Sequence, residues 1–300
     1  HRDLHSFPTR RSSDLDESGA ETVICLDSFL EVVQSIRSRT AVRNIIVTSP
    51  EDFSDQEGLQ DELPGAWRLR DVIDRSAPDG FVPDIDPQTD LAQLVFTGGA
   101  TGRPKGVMLT HHNLTVNTLQ ALPWAMAPLE KGIVGKSSVL IGIPAFHSYG
   151  HWALRAAVHW GLQMILVPDP RDAESLVAYL KKNRPFMAPL VPTQYMKMLD
   201  AGLGRTNTTF TSGAAPLPPE VGARFKKLTG MPITEAYGLT ETSPVTHFNL
   251  SSFSKITGFM PFEKKGSIGV PIVDTQARLL DPVIGSDVPV GEVGELFIKG

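Results

Sequence analysis

From Thr22 onward, short apolar runs alternate with amphipathic stretches of helical period, and this alternation restricts the fold more than any other feature of the chain. Residues 22–25, 43–48, 91–96, 139–143, 164–167 and 186–191 read as buried strands. Between them, Asp27 can cap a helix running to about Arg39, with Phe29, Val32, Val33 and Ile36 on one face. Residues 174–182 put Leu176, Val177 and Leu180 on one side of a second helix. Pro219 suits the first turn of a third, with Val221, Phe225 and Leu228 as its stripe and Gly230 as its stop. Strands interleaved with helices of this length predict an α/β fold, with mostly parallel sheets flanked by helices. Residues 50–90, rich in Asp, Pro and Gly, read as a loop-rich connection.

Composition narrows the partners. A hydrophobic content of 41% and a charged content of 20% are ordinary for a globular chain. A net charge of −5 argues against a nucleic-acid binder, so a bound polyphosphate needs a local basic site. The single cysteine, Cys25, forms no internal disulfide and points to a reducing compartment, hence a cytoplasmic location. The longest apolar runs, such as 139–146, are too short to span a bilayer, although peripheral membrane contact stays compatible with them.

Both ends read as non-native or incomplete. The stretch 1–15 is rich in Arg and Ser, lacks periodicity and an apolar signal region, and resembles translated sequencing-adapter sequence. It is set aside from the fold reading as a leader. The chain stops directly after the strand-like run 295–299, so 16–300 is read as an incomplete domain.

One loop carries the chemistry. The stretch 94–110 holds Gly98, Gly99, Gly102 and Gly106 among Thr97, Thr101, Arg103 and Lys105, between two apolar runs that read as strands. Glycines let backbone N–H groups converge on an anion, the threonines add hydroxyl donors, and the cations add the charge a triphosphate needs. The same composition suits a flexible surface hairpin. It is not a Walker A loop, because Lys105 follows Pro104 and precedes Gly106.

The order Thr-Gly-Gly-Ala-Thr-Gly-Arg-Pro-Lys-Gly resembles the phosphate loop of the acyl- and aryl-adenylate-forming enzymes, the AMP-binding superfamily. It departs from that family at Gly98, where Ser is usual, and at Ala100, where a hydroxyl residue is usual. The lost hydroxyl is worth roughly 0.5–1.5 kcal/mol as one hydrogen bond. Three further segments resemble the family in its own order. Residues 211–217 hold Gly213, Ala214, Ala215 and Pro216, small residues that let backbone approach an adenine. Residues 235–241 hold Glu235, Ala236, Tyr237, Gly238, Thr240 and Glu241. Residues 143–150 carry His147 beside the family's acyl pocket, and Trp152 could line or gate it.

The resemblance implies a large N-terminal adenylation domain, followed in the family by a small C-terminal domain that lies beyond Gly300. Its implied substrates are ATP, a small-molecule carboxylic acid and coenzyme A, with Mg²⁺ and without nucleic acid. Lys105, Thr240 and Glu241 are then the catalytic residues. Thr97, Gly98, Gly99, Thr101, Gly102, Lys105 and Gly106 cradle phosphates, and Glu241 with Thr97 takes the metal. Gly213 to Pro216, Glu235 to Gly238 and Thr240 hold the nucleotide, with the Tyr237 ring as a flat face for adenine. The segments 22–48 and 218–221 most resemble the bacterial medium- or long-chain fatty acid branch. An aryl- or amino-acid-activating member, or a degenerate binding protein without turnover, is the alternative. A serine hydrolase elbow of the form Gly-x-Ser-x-Gly does not occur, and the adjacent His111 and His112 cannot face one metal from a regular helix.

Overall fold

A computed structural model describes residues 7–52, 63–78, 80–98, 105–126, 134–249, 264 and 266–300. The chain divides into two compact units, His1–Asp86 with Phe96–Val107 and Pro87–Val95 with Met108–Gly300.

In the first unit, β1 (Thr22–Leu26), β2 (Asn44–Thr48) and β3 (Trp67–Arg68) form a parallel sheet with β2 in the middle. Period-2 alternation explains the centre of this sheet: Ile45 and Val47 share one face and are fully buried, packed with Val33 and Val42. The expected helix over 27–39 is three pieces, a 3₁₀ turn Asp27–Phe29, the helix Leu30–Ile36 and a second 3₁₀ turn Arg37–Arg39. Asp27 does not cap it across a turn; its carboxylate accepts from the neighbouring Ser28 N–H at 2.6 Å. Residues 7–18, which include most of the stretch set aside as a leader, are helical, and Leu15 packs against the Val33–Val47 core. The 50–90 connection also holds the helix Leu69–Arg75.

In the second unit, seven strands lie in the order β12-β11-β10-β9-β8-β6-β7. They are β6 (Ser138–Ile141), β7 (Gln163–Leu166), β8 (Met187–Leu190), β9 (Thr209–Ser212), β10 (Ile233–Gly238), β11 (Val245–Asn249) and β12 (Val270–Pro271). The run from β7 to β10 is parallel, and β11 and β12 are antiparallel additions at the edge. Within β6, Val139 and Ile141 face one core while Leu140 faces the other, so both faces of the sheet are covered. The first core packs the helix Ser148–His159 through Trp152, Ala153, Ala156 and Ala157. The second packs the helices Ala173–Asn183, Pro192–Asp200 and Pro219–Thr229. Its centre is an edge-to-face trio of Tyr195, Phe210 and Phe225, with ring centroids 4.9–6.0 Å apart.

Local chemistry sets the ends of these helices. The Asp172 carboxylate accepts from Glu174 N and Ser175 N at 3.0 and 3.2 Å, capping 173–183. Gly230, with φ at 80°, closes 219–229. The apolar stripe of that last helix differs from expectation in one member. Val221 and Phe225 are buried, but Leu228 is 43% exposed, and Thr229 takes the inward place because its hydroxyl bonds to Phe225 O at 2.8 Å. The glycine-rich loop joins two strands as expected, β4 (Leu91–Thr97) and β5 (Lys105–Thr110), and the helix His111–Met126 follows directly. The run 295–299 is also a strand, β14 (Glu295–Lys299), paired antiparallel with β13 (Gln276–Leu280). Among the described residues, no helix is long and apolar enough to cross a membrane.

Candidate active site

Three of the four sequence segments singled out for chemistry leave the carboxyl ends of parallel strands of this one sheet. Residues 143–150 follow β6, residues 213–216 follow β9, and residues 239–241 follow β10. In open α/β sheets this edge is where ligands bind, because loops diverge there and helix N-termini point toward it.

The register ties the last two together. Glu235 lies beside Ser212, one residue before Gly213. Gly213 packs so closely on the Tyr149 ring that an added Cβ would lie 3.2 Å from Cε1. Tyr149 is itself fixed by the bond between its hydroxyl and Thr211 Oγ1, at 2.8 Å, and burial pushes its pKa well up. Ala214 (φ 67°), Ala215 and Pro216 are exposed at the sheet edge. Tyr237 is half-buried, with His247 meeting it edge-on at 6.0 Å between centroids. Beyond it the chain turns sharply at 239–245. Leu239 N–H donates to Pro244 O and to Thr242 Oγ1, each at 3.0 Å. Gly238 is required here, because an added Cβ would meet Pro244 O at 1.8 Å.

The turn presents Thr240 and Glu241. Thr240 Oγ1 lies 3.4 Å from the buried Ser148 Oγ, at the start of the helix 148–159. Glu241 is exposed, makes no hydrogen bond or ion pair among the described residues, and borders a 270 Å³ cavity with His112, Asn117 and Thr246. A carboxylate free of cation partners at such a cavity suits a hard ion completed by phosphate oxygens, so Glu241 fits Mg²⁺ as a single protein ligand. No group of three or more His, Cys, Asp or Glu side chains that could hold a metal occurs among the described residues. Glu235 is half-buried; burial raises its pKa, and the Leu217 N–H donating to its carboxylate works against that rise.

His147 and Trp152 occupy different places. His147 caps the helix 148–159, its Nδ1 accepting from Tyr149 N at 3.2 Å, which puts the neutral ring's proton on Nε2. Partial burial of the ring lowers its pKa. Trp152 is 2% exposed within the first core, so here it is a packing residue rather than a cavity wall. The largely apolar cavity beside the 143–147 segment, about 600 Å³, is lined instead by Ile141, Ile143, Phe146, Leu154 and Leu166.

In the first unit, Thr97 ends β4 and its hydroxyl donates to Lys105 O at 3.5 Å, across the base of the loop. Gly98, Lys105 and Gly106 are exposed. Gly99, Thr101, Gly102 and Arg103 lie outside the described residues.

Three residues at the 239–245 turn were not anticipated: Ser148, Asn117 and Arg155. Arg155 had a signal in the sequence, as the one charge in the apolar run 152–158. Asn117 had none.

The AMP-binding enzyme family matches residues 4–300, nearly the whole chain. The chain belongs to that family. A long-chain-fatty-acid–CoA ligase from Bacillus subtilis is 38% identical over 226 residues, 73% of this chain and 38% of the relative. A protein of the same description from Escherichia coli O6:H1 is 30% identical, covering 98% of this chain and 54% of the relative. Among solved structures, a benzoate CoA ligase from Burkholderia xenovorans LB400 superposes with a TM-score of 0.78 at 26% identity, over 98% of this chain and 54% of that one. This AMP-binding enzyme chain therefore spans about half, or less, of the length of the relatives it matches. Its mixed sheet flanked by helices is that of the family's N-terminal adenylation domain.

Proposed function

We propose that this chain forms the ATP- and acid-binding part of an AMP-forming acyl-CoA ligase acting on a medium- or long-chain fatty acid. The observation that carries the reading is the gathering of the 213–216, 235–238 and 240–241 segments at the carboxyl edge of adjacent strands β9 and β10. Two fatty-acid–CoA ligases at 38% and 30% identity support the acid class.

In this reading the acid's carboxylate attacks the α-phosphorus of ATP, pyrophosphate leaves, and an acyl-AMP mixed anhydride forms. The thiol of coenzyme A then displaces AMP to give the thioester. The first step brings two anions together, so its demand on the protein is alignment and charge stabilisation. Thr240 supplies a hydroxyl donor for the α-phosphate or the carboxylate, and Lys105 supplies a cation. Gly213 to Pro216 supply a backbone surface without bulky side chains, and Tyr237 supplies a ring face for adenine. Glu241, with Thr97 as the second candidate, would hold Mg²⁺, which when bound offsets the charge of the phosphates. No enzyme nucleophile is needed. Ala100 removes one potential phosphate hydrogen bond, worth roughly 0.5–1.5 kcal/mol, and does not alter the main-chain donors available in the sequence.

The likeness to a benzoate ligase favours a second reading, in which the acid is aromatic. Non-hydrolysable acyl-adenylate mimics separate the two. The first reading expects the chain to bind a dodecanoyl or hexadecanoyl mimic more tightly than a benzoyl mimic. Tighter benzoyl binding would move the substrate to aryl acids, and binding of neither mimic nor of ATP by the folded chain would overturn the ligase reading.

A further inference from the structure

We infer that Arg155, together with Asn117, is a positioning residue that holds the 239–245 turn, and with it Thr240 and Glu241, in the arrangement adenylation uses. This deepens the proposed function and rests on it.

Inside the turn, Leu239 N–H and the Thr242 hydroxyl both donate to Pro244 O, at 3.0 and 2.6 Å, and the Ser243 carbonyl is held from outside. Ser243 adopts φ of 72°, a left-handed conformation that is uncommon for a non-glycine residue. Its carbonyl is buried and accepts from one group among the described residues, Arg155 Nη2, at 3.0 Å. The other arm of the same guanidinium donates to Leu114 O, on the helix 111–126. One planar fork thus ties two helices and the turn together. Two residues further on, the Asn117 amide pairs with both main-chain groups of Val245. Its Nδ2 donates to Val245 O at 2.7 Å, and its Oδ1 accepts from Val245 N at 3.2 Å. Ser148 meets Thr240 from the remaining side, at 3.4 Å between hydroxyl oxygens.

The cost of this arrangement shows that it is not incidental packing. Arg155 is largely buried, faces no carboxylate in any ion pair among the described residues, and leaves its Nε without a partner. Buried cations are normally paired with anions, because desolvation of an unpaired charge is expensive. Burial lowers the Arg155 pKa to about 10, which keeps the group charged at neutral pH. A leucine or methionine would fill the space between the helices without that penalty. What only the guanidinium provides is a rigid two-armed donor aimed at two carbonyls. A lysine, with one ammonium on a flexible stem, cannot reproduce the fork.

The test compares the chain with its Arg155→Met, Arg155→Lys and Asn117→Ala variants. Leu180→Ala is a control that destabilises the opposite core without touching the turn. Amide hydrogen exchange is read at 239–245, and Mg·ATP affinity by calorimetry, with Tm measured for each. Loss of one hydrogen bond to a charged donor corresponds to a change of about tenfold or more. Arg155→Met is therefore expected to speed exchange at the turn and to weaken ATP binding by at least about that factor, while Leu180→Ala lowers Tm and leaves both unchanged. Arg155→Lys recovers part of each effect. Unchanged exchange in Arg155→Met, or equal loss of affinity in Leu180→Ala, would overturn the inference. A wild-type chain that binds no ATP would remove the adenylation reading, and the exchange data would still decide whether Arg155 holds the turn.

Discussion

Replacing Gly238 by alanine tests how tightly the turn that carries Thr240 and Glu241 is built. The added methyl would lie 1.8 Å from Pro244 O, 2.6 Å from Pro244 C and 3.0 Å from Val245 Cα, all backbone atoms that no rotamer change can remove. Ordinary contact begins near 3.4 Å, so the strand β10 and residue 244 must part by the difference, about 1.6 Å. A shift of that size breaks the Leu239 N–H bond to Pro244 O at 3.0 Å and the Thr242 hydroxyl bond to the same oxygen at 2.6 Å. Two lost hydrogen bonds and the overpacking together come to roughly 2–6 kcal/mol. Urea denaturation followed by tryptophan fluorescence and circular dichroism measures it. Gly204→Ala is the internal comparison, because nothing lies within 4 Å of its added methyl. It should change stability by less than about 1 kcal/mol, in the stabilising direction. A Gly238→Ala protein as stable as Gly204→Ala would refute the close approach of residues 238 and 244.

The remaining predictions concern charge and core. Glu235→Gln keeps an acceptor for Leu217 N–H and removes a charge whose pKa is raised chiefly by burial. Because the folded pKa lies above the unfolded one, wild-type stability falls as pH rises from the ordinary carboxylate value through the folded pKa, and the variant should flatten that part of a Tm–pH profile; an unchanged profile counts against a buried carboxylate. His147, His151 and His247 have pKa values lowered first by burial, so the native state resists their protonation. Stability from this source is complete above about pH 6.5 and is lost as pH falls below it, and a Tm that stays flat from pH 7 to about 5 would contradict this. Phe225→Ala empties the centre of the trio with Tyr195 and Phe210, where Phe225 is fully buried. A loss of about 3–5 kcal/mol in urea denaturation is expected, and a loss under about 1 kcal/mol would mean that the second core closes over the gap.

The parallel part of the fold was legible because it is written in local pattern. Residues 44–48, 187–190 and the helix 173–183 sit where apolar runs, Asp172 and the inward Leu176, Val177 and Leu180 place them. The antiparallel strand Val245–Asn249 was not, since Thr246, His247 and Asn249 are polar and buried only through partners distant in sequence. Thr246 bonds to His247 and to Tyr237 O, and Asn249 bonds to Lys264 O and Ser267 O. Trp152 shows the same limit at the site. Its position beside His147 in sequence suggested a pocket wall, but Trp152 lies one helical turn after the buried Ser148, on the same inward face, and packs into the first core. Thr240 and Glu241 could be picked out as a motif, whereas the Arg155 and Asn117 contacts that hold them span 88 and 128 residues of sequence and leave no local trace.

The carboxyl edge of β9 and β10 is the proposed nucleotide site. Calorimetric titration of the chain with Mg·ATP, repeated on Glu241→Gln and Thr240→Val, tests this most directly. The account predicts saturable, Mg²⁺-dependent binding to the wild type, weakened about tenfold or more in each variant at unchanged Tm. A folded chain without saturable binding, or variants that bind as the wild type does, would contradict it.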